Sequence, residues 1–256
     1  MNEFKMTPEL AEIIGIYVGD GYLRYDGKRK ELDISGGYEE KEYYDKHVIP
    51  LFKNVFGISL EGKYFPARRT YGFVIRHREV LETFKALGFP SGNKSLIIRI
   101  PTIITTNNKS EVITSFLRGY FDTDGCLTFF NRKGLSNYSL FKRKYHYYPR
   151  IILVSVSEGL IGDLKMLLDS LGFRYHTRKK IRKEKQWNPT YEIYLVGQPN
   201  LMRWMTLIGT KNTVKLSRYK IWRKFGFCPT NTTYDQRINI LAGKLNPQKL
   251  YKGPVA

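Results

Sequence analysis

The chain of 256 residues is long enough for one large domain or two of about 130. At that length a core buries roughly 70–75% of the unfolded surface without disulfides or a structural metal. Apolar residues at 42% and aromatic residues at 14% exclude a disordered chain, and a formal charge of +20 with a pI near 9.8 points to a polyanionic partner, nucleic acid first.

The opening Met1-Asn2-Glu3-Phe4-Lys5 lacks the long apolar run of a signal peptide, and no later stretch is apolar enough to span a membrane. The sequence therefore reads as soluble and intracellular, cytoplasmic (nucleoid-associated) or organellar, with no membrane partner. Thr7-Pro8-Glu9 supplies an N-cap, a first-turn proline and an acid at the positive dipole end, so a helix begins there. Leu23 and Tyr25, then Leu32 and Ile34, alternate with Arg24, Glu31, Asp33 and Ser35, the period of strands with one buried face. Tyr43 to Phe56 has helical apolar spacing and stops at Gly57; Tyr71, Phe73 and Ile75 alternate again; Val80 to Leu87 is a short amphipathic helix stopped by Gly88. Residues 96–110, with Pro101 and a polar run from Thr102 to Lys109, read as a polar linker. A second helix opens at Ser110-Glu111, residues 126–150 read as a long basic hairpin, Tyr191, Ile193 and Leu195 alternate, and Leu201 to Ile208 is stopped by Gly209. The tail from Cys228 to Ala256 is short and polar.

The chain contains itself twice. LAEIIGIYVGDGYL at 10–23 matches TSFLRGYFDTDGCL at 114–127, so Gly15, Gly19, Asp20 and Gly21 correspond to Gly119, Thr123, Asp124 and Gly125. Thr70 to Ile75 corresponds to Thr190 to Leu195, each followed by a helix, a glycine stop and an Asn with a nearby Lys (Asn93-Lys94; Asn212 and Lys215). The second copy is longer by about 16 residues, which fall in 126–150. Each copy reads as αββαββα, which divides the chain into an N-terminal half-domain (1–95), the linker (96–110), a C-terminal half-domain (111–227) and a tail (228–256). The charge divides unequally: residues 1–113 hold 17 basic and 15 acidic side chains, residues 114–256 hold 26 and 8.

Gly15 with Gly19, and Gly119 with Thr123, place small residues on one face of each first helix, so the two helices can pack closely and bring their C-terminal ends together. Those ends carry Asp20 and Asp124, each before a glycine suited to a left-handed cap. A carboxylate at a helix C-terminus opposes the dipole, and two side by side repel, a cost most simply offset by divalent cations bridging the pair. Paired metals on a phosphodiester activate water and stabilise the leaving oxygen. Cys126 and Cys228 are far apart and outside any CxxC pair, and His47, His77, His146 and His176 are dispersed, so the sequence offers no disulfide framework, zinc site or HExxH helix.

GIYVGDG and GYFDTDG resemble the two signature helices of LAGLIDADG homing endonucleases in their single-chain form, and the resemblance extends over about residues 7–227. It implies an α+β fold of two pseudo-twofold-related half-domains, each with a four-stranded antiparallel saddle sheet, packed through the two signature helices. It further implies Mg²⁺ (with Mn²⁺ as a substitute) bound by Asp20 and Asp124, with the Gly19 and Thr123 carbonyls facing the metal and Arg78 and Gln198 as nearby catalytic groups. The earlier acid of the motif is Val18 in the first copy and Asp122 in the second, a position with a structural role in the family.

The resemblance also implies a sheet face laid on duplex DNA. By alternation its contact residues are Arg24, Asp33, Ser35, Arg76, Glu192 and Tyr194, with Lys28, Arg29, Arg68, Arg69, Arg132, Lys133, Lys142, Arg143, Lys144, Arg178, Lys180 and Arg182 as loop residues. The implied activity is site-specific double-strand DNA cleavage by an intron-encoded monomer at a long pseudo-palindromic target, leaving short 3′ overhangs. An RNA-binding maturase acting on intron RNA and a cleavage-inactive DNA-binding regulator are the alternatives. With no N-terminal Cys or Ser nucleophile and no terminal His-Asn, the chain reads as free-standing rather than as part of an intein.

Overall fold

The computed structural model describes residues 5–132, 139–181 and 188–251. Helix α1 spans Pro8–Asp20; the Thr7 hydroxyl accepts from the Leu10 N–H, as the Thr-Pro-Glu start requires. Strands β1 (Gly21–Tyr25) and β2 (Lys30–Gly37) follow, then helical turns α2 (Lys41–Tyr43) and α3 (Ile49–Phe56), joined by a π-helical stretch at Tyr44–Val48. Pro50 has no N–H to return to the preceding turn, which accounts for the wider winding just before it. Strands β3 (Lys63–Phe65) and β4 (Thr70–Ile75) and helix α4 (Arg78–Ala86) complete the first half.

The second half repeats this order. Helix α5 (Thr102–Thr105) leads into α6 (Ser110–Thr123), β5 (Cys126–Phe130), α7 (Leu140–Lys144), β6 (Tyr148–Ser155), α8 (Glu158–Ser170), β7 (His176–Lys180), β8 (Thr190–Val196), α9 (Gln198–Leu207) and α10 (Thr213–Phe225). The two antiparallel sheets have identical topology, β1-β2-β4-β3 and β5-β6-β8-β7. The expected α+β fold of two repeated half-domains is the one observed.

The halves meet along α1 and α6, and the glycine notches explain how closely. A methyl group on Gly15 would lie 2.2 Å from the Phe116 carbonyl oxygen, and one on Gly119 would lie 2.2 Å from the Glu12 carbonyl oxygen, so each helix rests on the backbone of the other. Around this seam run Ile13, Ile16, Tyr17, Phe116, Phe121, Leu127, Ile151 and Trp204, all buried. Among the described residues one ion pair crosses it: Glu12 accepts from Arg118 at 2.5 Å and meets His47 at 2.6 Å. Burial opposes the Glu12 charge, and the His47 and Arg118 hydrogen bonds outweigh it, holding the carboxyl below its ordinary value.

Three local expectations are corrected. Gly21 is extended (φ −85°), and neither it nor Gly125 has a positive φ, so these glycines are not left-handed caps. They are small because a Cβ would strike the ring of Tyr17 at 2.2 Å or of Phe121 at 2.4 Å where the chain turns directly into a strand. The 126–150 insertion is not one continuous hairpin, because its return limb holds α7, whose Phe141 packs on Tyr145, Tyr147 and Phe227. The connecting stretch is no solvated tether: Ile98, Ile100 and Ile104 are buried, and Arg99 forks onto Asp163 at 2.6 and 2.7 Å.

The tail also folds. Helix α11 (Tyr234–Leu241) lies on α10, its fully buried Arg237 donates to Ser217 and reaches Glu39, and the Tyr234 hydroxyl donates to Glu42 at 2.6 Å. It thus ties the second half to the first. Among the described residues, no helix is long and apolar enough to cross a membrane.

Candidate functional site at the paired helix ends

Asp20 ends α1 and Asp124 caps α6, and the packed helices bring the two carboxyls close enough for the Asp124 charge to oppose that of Asp20, with Asp124 and Gly19 lining a cleft at the helix ends. Crowding by protein, the nearby charge of Glu40 and that of Asp124 push the Asp20 carboxyl up to about 7, with a Tyr44 hydrogen bond and Lys215 acting in the opposite sense. Asp124 keeps an exposed edge, yet the protein around it raises its carboxyl too; Lys94 and Lys215 favour its charge and Glu40 opposes it. Among the described residues, no cationic side chain closes an ion pair on either acid. The negative charge here is therefore only partly compensated by protein.

Two lysines complete the cleft, and they repeat with the fold. Lys94 Nζ donates to the Val18 and Gly19 carbonyls at 2.7 and 3.1 Å, and Lys215 Nζ donates to the Asp122 and Thr123 carbonyls at 2.6 and 3.1 Å. Burial pulls Lys94 down to about 8, while Asp124 and Asp20 favour its charge. Each lysine donates to carbonyls at the end of a signature helix, where no further turn supplies N–H groups, and the Asn212 side-chain amide adds a second donor to the Asp122 carbonyl at 2.7 Å. The Gly19 and Thr123 carbonyls expected to face metal thus already hold an ammonium, leaving each a second lone pair.

Asp122 is structural, as expected. Fully buried, it accepts from the Thr210 hydroxyl and from the Lys211 and Asn212 N–H groups at 2.7 and 3.2 Å. Asn212 also donates to Glu40 at 2.7 Å, so Glu40 is carried across the seam toward both acids. Sequence reasoning missed Glu40, Lys94 and Lys215 as site residues; the signal for the lysines was the repeated Asn and Lys after each glycine stop.

Arg78 and Gln198 are not brought to the acids. Gly21 pairs with Ile34 and Ile34 with Phe73, so β4 runs away from Asp20 before reaching Arg78. Likewise Cys126 aligns with Ile152 and Tyr194, and Gln198 lies beyond the opposite end of β8, lining a separate cleft with Tyr147, Tyr148 and Trp222.

The solvent faces of the sheets hold the other expected residues. On the first, Arg24 pairs with Asp26, Arg76 with Glu31, and Asp33 takes Arg68 and the Ser35 hydroxyl, while Asp26 orders the turn carrying Lys28 and Arg29. Arg69 sits in the β3–β4 turn with φ 53°. On the second, Tyr194 donates to Glu192, Arg178 and Lys180 are exposed on β7, Arg132 stacks on Tyr148, and Lys142, Arg143 and Lys144 form the last turn of α7. Lys133 and Arg182 lie outside the described residues. Arg150, flanked by the Phe130 and Tyr194 rings, belongs to this face and was missed because β6 was read as hairpin.

The site's donors are hard oxygens, and the charge of its carboxylates is only partly compensated, both suited to a divalent cation. No set of three His, Cys, Asp or Glu side chains among the described residues forms a complete cage. Such an ion would therefore draw further ligands from water and phosphate.

Residues 111–209 match the LAGLIDADG-like domain family. The chain is 26% identical over 217 residues to the replication factor C small subunit of Methanocaldococcus jannaschii, and 27% identical over 210 residues to the glutamine–fructose-6-phosphate aminotransferase of the same organism. These matches take in 85% and 79% of this chain but only 10% and 16% of those proteins, so the chain spans a small fraction of the curated relatives it matches. Among solved structures it resembles I-DmoI in complex with DNA and Mn (TM-score 0.52, 14% identity, 80% of this chain and 98% of that one). It also resembles full-length DUF199/WhiA from Thermatoga maritima (TM-score 0.50, 13% identity, 95% of this chain and 68% of that one).

Proposed function

The chain carries the LAGLIDADG fold in its single-chain form, and we propose that it is a divalent-metal-dependent, site-specific DNA endonuclease of the homing type. In this reading a monomer cuts both strands of a long pseudo-palindromic duplex and leaves short 3′ overhangs. The observation that carries it is the pair Asp20 and Asp124, joined in no ion pair among the described residues and held at one cleft by helices that rest backbone on backbone. A decayed copy that only binds DNA has no need to keep two repelling carboxylates there.

Asp20 and Asp124 would hold the metal, Mg²⁺ with Mn²⁺ as a substitute, and a bound ion would polarise the phosphate and lower the pKa of an attacking water. Lys94 and Lys215 fix the helix-end carbonyls and set positive charge beside the cleft, where a phosphate gains negative charge as it is attacked. The exposed strand faces supply the long contact surface: the nearly neutral first half pairs Arg24, Arg68 and Arg76 with acids of its own half, whereas the strongly basic second half presents Arg178 and Lys180 on β7 and Arg143 and Lys144 on α7 to phosphates.

I-DmoI, with DNA and Mn in its crystals, supports duplex DNA and a divalent metal as partners. That a matching segment occupies small parts of two proteins with unrelated names supports a mobile module. The test is substitution of the acids. Asp20→Asn and Asp124→Asn should each abolish double-strand cleavage while duplex binding persists. Full cutting by either variant would overturn the assignment, and tight binding with no cutting by the unaltered chain would replace it with a regulator.

A further inference from the structure

The two acids of the cleft are not held alike. The Tyr44 hydroxyl donates to Asp20 Oδ2 at 2.9 Å, and Tyr44 is fully buried in the π-helical stretch, with its ring against Tyr43, Tyr71 and Phe73. Carrying the strand register forward into the second half brings Asp163 and Leu164 to the place of Tyr44. Asp163 turns to Arg99 and the Ile100 N–H instead, and Leu164 is a buried apolar side chain. Among the described residues, no side-chain donor meets the Asp124 carboxylate, which borders an open cleft with Ser95, Ser155 and Thr190.

We propose that Tyr44 is a positioning residue that fixes Asp20 alone and thereby makes the two strand cuts unequal. This rests on the nuclease reading above. A buried phenol with its ring locked by neighbours cannot follow a rotating carboxylate, so Asp20 is held with Oδ2 toward Tyr44 and its other oxygen left for the cleft. Asp124 must find its working rotamer without such a partner. The cut that relies on Asp20 therefore depends on one hydroxyl, and the cut that relies on Asp124 does not.

The neighbouring Tyr43 supplies a matched control, because it is equally buried and its hydroxyl has no hydrogen-bond partner among the described residues. The experiment labels each strand of a cognate duplex separately and measures both nicking rates in Mg²⁺ for the unaltered chain, Tyr44→Phe and Tyr43→Phe, with thermal unfolding of each. The hydrogen bond is to a charged group, so Tyr44→Phe should slow one strand by about tenfold or more. The other strand should stay near its original rate, and Tyr43→Phe should leave the ratio of the two rates unchanged. Tyr44→Phe should also lower the melting temperature more than Tyr43→Phe, a readout independent of cleavage. Equal slowing of both strands, or the same change of ratio in both variants, overturns the proposal while leaving the nuclease reading intact. Absence of cutting by the unaltered chain overturns both.

Discussion

Lys94 and Lys215 stand in equivalent places of the two halves, each with its ammonium on two carbonyls in the last turn of a signature helix. The cleft is thus built twice from one plan: helix, acid, and a buried lysine returning from a distant part of the chain to close the helix end, Lys94 from the start of a turn and Lys215 from the start of α10. Replacing either lysine by Met removes both a buried donor and the positive charge beside the acids. Cleavage should fall at least about tenfold for each variant. Stability should change by less than about 2 kcal/mol, because losing the donor is partly offset by no longer burying an ammonium. Strand-cleavage rates beside denaturant titrations check this, and unchanged rates would remove the lysines from the site.

The acids give a pH dependence whose sign follows from burial. Asp20 protonates at about 7 in the folded chain, far above its ordinary 3.8, and Asp122 at about 6. Between pH 4 and 7 the folded state therefore keeps protons that the unfolded chain has released, so metal-free stability falls as pH rises through that window. The Asp20 share is on the order of 3 kcal/mol. Asp20→Asn should remove most of its share and leave a shallower slope from Asp122 and from Asp124, whose carboxyl burial also raises. Denaturant titrations in chelator at pH 5 and pH 8 measure it, and Mg²⁺ at pH 8 should restore stability to the unaltered chain more than to Asp20→Asn.

The helix seam has no room for a methyl group. Gly15→Ala and Gly119→Ala each drive a Cβ into backbone that cannot rotate away, so each should cost about 3 kcal/mol or more. Gly162→Ala, where a Cβ meets nothing, is the control and should stay near the stability of the unaltered chain. Equal unfolding midpoints for all three variants would contradict the packing described here.

The excess charge should appear as salt sensitivity. Six to ten phosphates neutralised by the protein give a slope of about −5 to −9 in log affinity against log salt. Neutralising Arg143 and Lys144 on α7 should flatten the slope by about one unit for each phosphate the variant no longer holds. Because Arg24, Arg68 and Arg76 are already engaged by acids of their own sheet, replacing them should change base preference more than slope.

The repeat made much of this legible in the sequence. Asp20 and Asp124, the glycine notches and the strand alternation are local patterns, and the structure places each as expected. What the sequence hid depends on contacts between distant residues. Lys94 and Lys215 look like any other lysine until the fold returns them to a helix end; Glu40 reaches the cleft through Asn212 of the other half. Arg78 and Gln198 failed because strand direction, not sequence distance from a strand, decides which end of a sheet meets the acids. The glycines after the acids were assigned to a backbone conformation when an aromatic ring was the cause.

The central claim is hydrolysis of both DNA strands at one defined site. The most direct measurement uses a plasmid bearing the joined sequences that flank this coding region, incubated with the protein and Mg²⁺, with the resulting ends mapped by sequencing. The expected product is a single staggered break with short 3′ overhangs, lost in chelator and in both Asp20→Asn and Asp124→Asn. An uncut plasmid bound tightly by the protein, or the same break made by either variant, would contradict it.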